Sequence, residues 1–279
     1  MSAVHQNTQM FALSRPPPTT IELARRRYRL VQVFKHDFFA ATCLYEATRQ
    51  GSPARIVVKF PRTQGFCGLP MSSMGRLMRA REEAMYRALV GVAGVPRWLG
   101  RVGAVAYAIE HIDGEPLDHV EAPPAGFFDR LRRLFDDMHA RGVAYVDANK
   151  LSNIIVSGSG EPFVVDYQIS IRTREGWPWP LRAVVGGCVR YLQRCDLYHL
   201  YKHKRRLCPA ELTPTEARLS HRRGGLHNLH RGLTTPWRTL RRASLRRQCR
   251  NGRLVSPTDA LEDHDQPEKA TWRPGPGEQ

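Results

Sequence analysis

Acidic residues are scarce in this chain: 26 Asp+Glu stand against 43 Lys+Arg in 279 residues, a formal net charge of +17. Cysteine is scarcer still. The six (Cys43, Cys67, Cys188, Cys195, Cys208, Cys249) form no CxxC pair, which excludes a disulfide scaffold and points to a reducing, cytosolic setting. No stretch approaches the roughly 20 uncharged apolar residues that a spanning helix needs. The start of the chain has no basic residues followed by an apolar core, so no secretory signal is expected. His199, His203, His221, His227 and His230 stand among arginines without acids or cysteines at metal spacing, which argues against a zinc site.

What is present is a core-forming composition. Hydrophobic residues make up 42% of the chain, which rules out disorder from end to end and suits one large domain or two lobes. The basicity is concentrated. Residues 202–250 hold 14 Lys+Arg against two acids, Glu211 and Glu216, and so carry +12 of the net charge. Residues 256–279 are rich in Pro, Gly and acids and read as a disordered tail. Residues 1–20 are polar, include Pro16, Pro17 and Pro18, and read as a flexible lead-in.

Between these ends the patterning is that of a folded domain. YRLVQVFKHDFFAATCLYEATR predicts two strands around a turn, and Arg55 to Phe60 a third, stopped by Pro61. Leu77, Met78, Ala84, Met85 and Leu89 share one face of a helix starting near Arg76 and closed by Gly94 and Pro96. PRWLGRVG and AVAYAIEHI predict two more strands. Phe127 to His139 is an amphipathic helix with Phe128, Leu131, Leu134, Phe135 and Met138 on its apolar stripe. NIIV and PFVVDY flank SGSGE as a hairpin. WPWPLRAVVGGCVRYLQRC places Trp177 and Trp179 beside apolar and basic residues, which suits either a membrane interface or the first helix of a C-terminal lobe.

Polar residues interrupt the apolar segments at telling places. Lys59 closes VVKF, Asp147 and Asn153 bracket VDANKLSN, and Asp166 ends FVVD. A lysine, two acids and an asparagine can together hold a nucleoside triphosphate. The cation meets phosphates, oxygen ligands hold Mg²⁺, and a carboxylate accepts the proton of an attacking hydroxyl.

The order and spelling of these segments resemble the protein-kinase-like superfamily. MHARGVAYVDANKLSNIIV is similar to the kinase catalytic loop, VVKF to the strand with the nucleotide lysine, VVDYQIS to the segment that begins D-F-G, and YAIEHIDGEPL to the hinge between lobes. The resemblance covers about residues 28–206 and is nearest in character to the compact bacterial lipopolysaccharide kinase and RIO-like branch. It implies an α+β, two-lobed fold: a β-rich N-lobe to about residue 109, then a short, mostly helical C-lobe from about 113, within a domain spanning 21–212. A basic, helical or partly ordered extension over 213–255 would follow.

Residue by residue, the resemblance implies that Asp147 is the catalytic base and Lys59 the phosphate ligand. Glu82 would be the partner of Lys59, with Glu83 the neighbouring alternative. Glu110 to Ile112 would offer backbone groups to adenine, Asn153 and Asp166 would hold Mg²⁺, and Asp196 would be a buried prop for the catalytic loop. The implied activity is transfer of the γ-phosphoryl group of ATP to a hydroxyl of a protein, glycolipid or sugar. The alternative is a catalytically weak pseudokinase or basic scaffold that binds polyanions. Residues 202–250 suit an anionic membrane surface or another polyanion. Nucleic acid fits less well, because Trp237 is nearly the only aromatic after Tyr201. The expected location is cytoplasmic, or peripheral at the inner face of the membrane.

The sequence departs from the family pattern in five ways. No G-x-G-x-x-G occupies the turn in FKHDFFAAT. Tyr145 stands where the catalytic loop usually has histidine. Asn153 follows Asp147 by six positions instead of five. Gln168 replaces the D-F-G glycine, and no A-P-E follows. The longer loop leaves two outcomes open: the asparagine turns away from the metal, or the loop bulges and keeps it.

Overall fold

In the computed structural model, residues 11–51, 53–65, 69–173 and 176–221 are described. The start of the lead-in (1–10), the basic segment beyond 221 and the tail over 256–279 lie outside the described residues. The described chain divides into a β-rich unit, residues 11–80 and 98–111, and a mostly helical unit, residues 81–97 and 112–221. The class is α+β.

The first unit is one antiparallel sheet. Its strands are β1 (Thr20–Leu23), β2 (Arg26–His36), β3 (Ala40–Ala47), β4 (Arg55–Pro61), β5 (Trp98–Val102) and β6 (Ala106–Glu110), in the order β1-β2-β3-β4-β6-β5. β-branched and aromatic side chains favour these segments as strands, and Tyr28, Cys43, Tyr45, Ile56, Val58 and Ala108 form their shared core. β1 adds a strand that the sequence reading did not contain.

Within the stretch expected to be a flexible lead-in, Phe11 and Ala12 are packed instead. Phe11 is 3% exposed and Ala12 0%. Main-chain bonds to distant residues hold them. The Ala12 N–H donates to the Asp37 carbonyl (2.7 Å), and the Ala12 carbonyl accepts from the N–H groups of Thr63 and Gln64 at 3.0 and 3.1 Å.

The β2–β3 turn, Asp37 to Phe39, is fixed without glycine. The Asp37 carboxylate accepts the N–H groups of Phe39 (2.8 Å) and Ala40 (2.9 Å), and Lys35 pairs with it at 2.7 Å. Burial opposes its charge, but Lys35 and those donors outweigh burial and hold Asp37 below the usual carboxylate range. Arg62, 1% exposed, supports the turn from below. Its guanidinium donates to the carbonyls of Phe38 (3.0 Å), Phe11 (3.1 Å) and Gly65 (3.2 Å) and stacks 4.0 Å over the Phe38 ring.

Helix α1 (Ser72–Ala88) begins four residues before the expected Arg76, and the division between the units runs through it. Gly75 is required there, because a Cβ would lie 2.3 Å from the Arg62 carbonyl. From residue 81 onward the helix belongs to the second unit, so Glu82 and Glu83 group with the helical part and not with the sheet.

In the second unit, β7 (Gly114–Pro116) precedes α2 (Phe127–Ala140). Phe127, Phe128, Leu131, Leu134, Phe135 and Met138 are the buried face of α2, the stripe expected from the sequence. β8 (Val143–Ala144) and a 3-10 turn (Leu151–Asn153) lead to β9 (Ile154–Ser157) and β10 (Pro162–Val164). β10, β9 and β7 pair as a small antiparallel sheet, and β11 (Ile171–Arg172) pairs with β8. The last elements are α3 (Trp179–Leu207) and α4 (Pro214–His221).

Part of the basic segment is structural. Lys204, 2% exposed, donates to Asp129 (2.8 Å) and to both Glu216 oxygens (3.0 and 3.1 Å), tying α3 to α2 and α4. Burial disfavours its charge, but the two carboxylates prevail and raise its pKa. Lys202 donates to the Asn149 side chain at 2.8 Å, and Arg205 to the Ser220 hydroxyl at 3.0 Å. These three cations are committed inside the helical unit.

Candidate active site

The site is clearest in the helical unit, where the loop between β8 and β9 meets α3. Asp196 is the only acid in α3 and is fully buried. Its Oδ2 accepts the N–H of Tyr145 (2.8 Å) and lies 3.1 Å from His139 Nε2; its Oδ1 accepts the N–H of Val146 (2.8 Å). These bonds hold an unusual backbone. Val146 has φ 74°, a conformation costly for a β-branched residue, and it sits directly before Asp147. The sequence signal for this prop is a lone acid among the apolar and basic residues of a long helix.

Tyr145 is buried and packs against Tyr167 (ring centroids 5.6 Å apart) and Phe135 (6.1 Å). Its hydroxyl donates to the carbonyl of Val165, the residue before Asp166. Its own carbonyl accepts the Ser170 hydroxyl at 2.9 Å. Tyr145 therefore links the Asp147 loop to the Asp166 segment on both sides.

Asp147 is partly exposed, its side chain at 17%. The Asn153 side-chain amide donates to Asp147 Oδ2 at 2.9 Å, and Lys150 Nζ lies 3.1 Å from the same oxygen. The 3-10 turn absorbs the extra residue of the loop and returns Asn153 to the carboxylate. The Asn153 carbonyl also accepts the Val165 N–H at 3.0 Å. The longer loop thus places the Asn153 side chain beside Asp147.

Asp166 lies two residues beyond β10, in the left-handed region at φ 65°. Its charge is felt by Asp147. Burial pushes the Asp147 carboxyl up and the Asp166 charge adds to that, while Lys150 and Asn153 oppose; the net direction is upward. Two carboxylates that disfavour each other's charge, with an amide beside them, suit a hard divalent cation. Mg²⁺ commonly takes only one or two protein carboxylates and completes its shell with water and phosphate oxygens. Among the described residues no group of three or more His, Cys, Asp or Glu could hold a metal by itself. Asp147, Asp166 and Asn153 supply oxygen donors of the kind such a cation takes.

Glu82 is fully buried and Glu83 is 4% exposed. Glu83 is paired with Arg87 at 2.6 Å. Tyr86 is pushed well above the usual phenol range, by burial first and then by the charges of Tyr167, Glu82 and Asp166. Nearby, Arg81 donates to the Ser170 carbonyl at 3.1 Å.

Two residues that the sequence reading did not single out steady the loop from α3. Lys202 reaches Asn149, as above. His203, 4% exposed, places Nε2 3.1 Å from the Ala148 carbonyl. Burial, helped by Lys202 and Arg206, lowers its pKa to about 4, so it is neutral and donates to that carbonyl.

The remaining candidates lie in or beside the sheet unit. Lys59 is in β4, opposite Thr42 of β3 and Tyr107 of β6, and is 8% exposed. A lysine this buried in a central strand is not an ordinary solvated one. Glu110 ends β6 opposite Ile56, and the first unit closes at His111; half-buried Ile112 begins the second. Structure and sequence thus bring together Asp147, Asn153, Asp166 and Glu82 in one unit and set Lys59 and Glu110 in the other.

No protein-family model matches the chain, and no curated protein matches it in sequence. Among solved structures, the Rio2 kinase of Chaetomium thermophilum is 13% identical with a TM-score of 0.49, over 67% of this chain and 58% of that one. The ADP/Mg²⁺-phosphoaspartate complex of that kinase is 13% identical with a TM-score of 0.48, over 67% and 56%. The chain spans a little more than half the length of these structures.

Proposed function

We propose that this chain is an ATP-dependent phosphotransferase of the protein-kinase-like type. The observation that carries the reading is the Asn153 amide on the Asp147 carboxylate at 2.9 Å, in a loop propped by Asp196 and joined through Tyr145 to the segment of Asp166. In it, Asp147 orients the acceptor hydroxyl and takes its proton as the oxygen attacks the γ-phosphorus. The bond from that phosphorus to the bridging oxygen breaks and ADP leaves. Lys59 pairs with the α/β-phosphates, aided by Glu82, and backbone groups from Glu110 to Ile112 meet adenine. Mg²⁺, when bound by Asn153 and Asp166, neutralises the phosphate charge that builds in the transition state.

The acceptor class is a hydroxyl on a protein, glycolipid or sugar. A cytoplasmic protein working at the inner face of the membrane fits the basic charge. Lys202, Lys204 and Arg205 are already committed to internal contacts. The docking charge of the 202–250 segment is therefore that of its other residues.

The test is phosphate transfer from labelled ATP to a cell lysate and lipid fraction, run beside Asp147→Asn and Asp166→Asn. Loss of a base alone lowers rates roughly 10²–10⁴-fold. Both variants are expected to lose turnover and to keep the circular dichroism of the parent. Equal turnover by parent and variants would sink the assignment.

A further inference from the structure

The first two turns of α3 carry an apolar surface that, among the described residues, nothing in the helical unit covers. Trp179 is 75% exposed, Val184 67% and Leu181 47%. The helix becomes part of the core only later, from Gly186 and Val189 onward. Pro180, Ala183 and Cys188 extend the exposed surface. Such a patch in contact with water marks an interaction site more often than an isolated exposed leucine does.

Along α3 itself the charges beside the patch have one sign. From residue 176 to 195 there is no acid, and Arg182, Arg190 and Arg194 are exposed. A second copy docking through the same face would set these arginines against their own equivalents. Nucleic acid would find one stacking side chain, Trp179, on a surface otherwise aliphatic. A bilayer with anionic headgroups suits all the parts: tryptophan at the headgroup level, aliphatic side chains just below it, and guanidinium groups on lipid phosphates. Among the described residues no helix is long and apolar enough to cross a membrane, so the contact is one of lying on the surface.

We infer that the exposed side of α3 from Trp179 to Arg194 docks on an anionic lipid bilayer, with Trp179, Leu181 and Val184 entering the interface and Arg182, Arg190 and Arg194 meeting the headgroups. The inference stands apart from the phosphotransfer reading, because it uses only side-chain exposure and charge. It also differs from docking through the basic segment, which rests on net charge.

The experiment is co-sedimentation of the full chain with vesicles of phosphatidylcholine alone or mixed with phosphatidylglycerol, at low and high salt. Three proteins are compared: the parent, Trp179→Ser/Leu181→Ser/Val184→Ser, and Arg241→Gln/Arg242→Gln/Arg246→Gln/Arg247→Gln. The parent is expected to bind the anionic vesicles. The serine variant is expected to bind them about tenfold or more weaker, from loss of three buried apolar side chains. It should keep the parent's melting temperature, because the positions are exposed. The glutamine variant should keep a salt-resistant part of the binding that the serine variant lacks. Failure of the parent to bind anionic vesicles, or equal binding by parent and serine variant, overturns the inference. So does a parent dimer in sedimentation velocity that the serine substitutions dissolve, since the face would then join two copies. Each of these outcomes leaves the Asp147→Asn result, and with it the phosphotransfer reading, unaffected.

Discussion

Asp196 and Tyr145 are joined by a hydrogen bond from the Tyr145 backbone N–H to a carboxylate with no exposure to solvent, 2.8 Å long and 51 residues apart in sequence. With the neighbouring bond from Val146, it fixes the backbone immediately before Asp147. Asp196→Ala would leave both N–H groups and His139 without their acceptor in a dry site. The expected cost is about 3 kcal/mol. Asp196→Asn, which keeps one acceptor oxygen, should lose less. Urea unfolding of the three proteins orders them, and an alanine variant as stable as the parent would contradict the role.

Tyr145→Phe isolates a second link. It removes only the hydroxyl that donates to the Val165 carbonyl and leaves the ring packing on Tyr167. About 1 kcal/mol of stability should go, the usual net value of one such bond. If the proposed chemistry holds, kcat should fall more than the KM for ATP rises, because the link positions two loops and touches no nucleotide.

Asp147 is raised above its ordinary carboxylate pKa, first by burial and further by Asp166. For an acid the sign is as follows: the folded protein prefers the neutral form, so ionisation at neutral pH costs stability. Asp147→Asn should therefore melt higher than the parent at pH 7. That advantage should vanish below pH 3.8, where the carboxyl is protonated folded or unfolded. Thermal melts across pH check it, and a variant less stable than the parent at pH 7 would reverse the sign.

His203 and His36 give the opposite dependence. Burial lowers each to about 4 from 6.5, so each favours the fold while neutral, and that stability disappears as pH falls from 6.5 to 4. His36 Nε2 accepts the Leu13 N–H at 3.1 Å, a bond that protonation breaks. Each shift corresponds to about 3 kcal/mol at most. His203→Gln should flatten the acid limb of a stability-against-pH curve. An unchanged limb would remove His203 from the account.

Elements with strong local periodicity were legible in the sequence. The apolar stripe of α2 and the SGSGE hairpin carry their own signals, and the structure bounds them at Phe127–Ala140 and at Ile154–Ser157 and Pro162–Val164. Order in Phe11 and Ala12 was not legible, because it comes from partners at Asp37, Arg62, Thr63 and Gln64 that no local pattern announces. At the site, the residues in motif strings could be named from spelling. Where a longer loop carries Asn153 is a matter of backbone path, and the 3-10 turn carries it beside Asp147. His203 and Lys202 looked like members of a charge run, and only the packing of α3 on the loop separates them from it.

The β2–β3 turn, with Asp37 as its cap and Arg62 beneath Phe38, also decides when entropy is lost. A glycine-rich turn samples many backbone states and must give them up when it closes on a ligand. Here the ordering is completed during folding, through three carbonyls on one guanidinium and two N–H groups on one carboxylate. The turn thus meets any ligand already in a single shape, and contact with it carries little further ordering penalty.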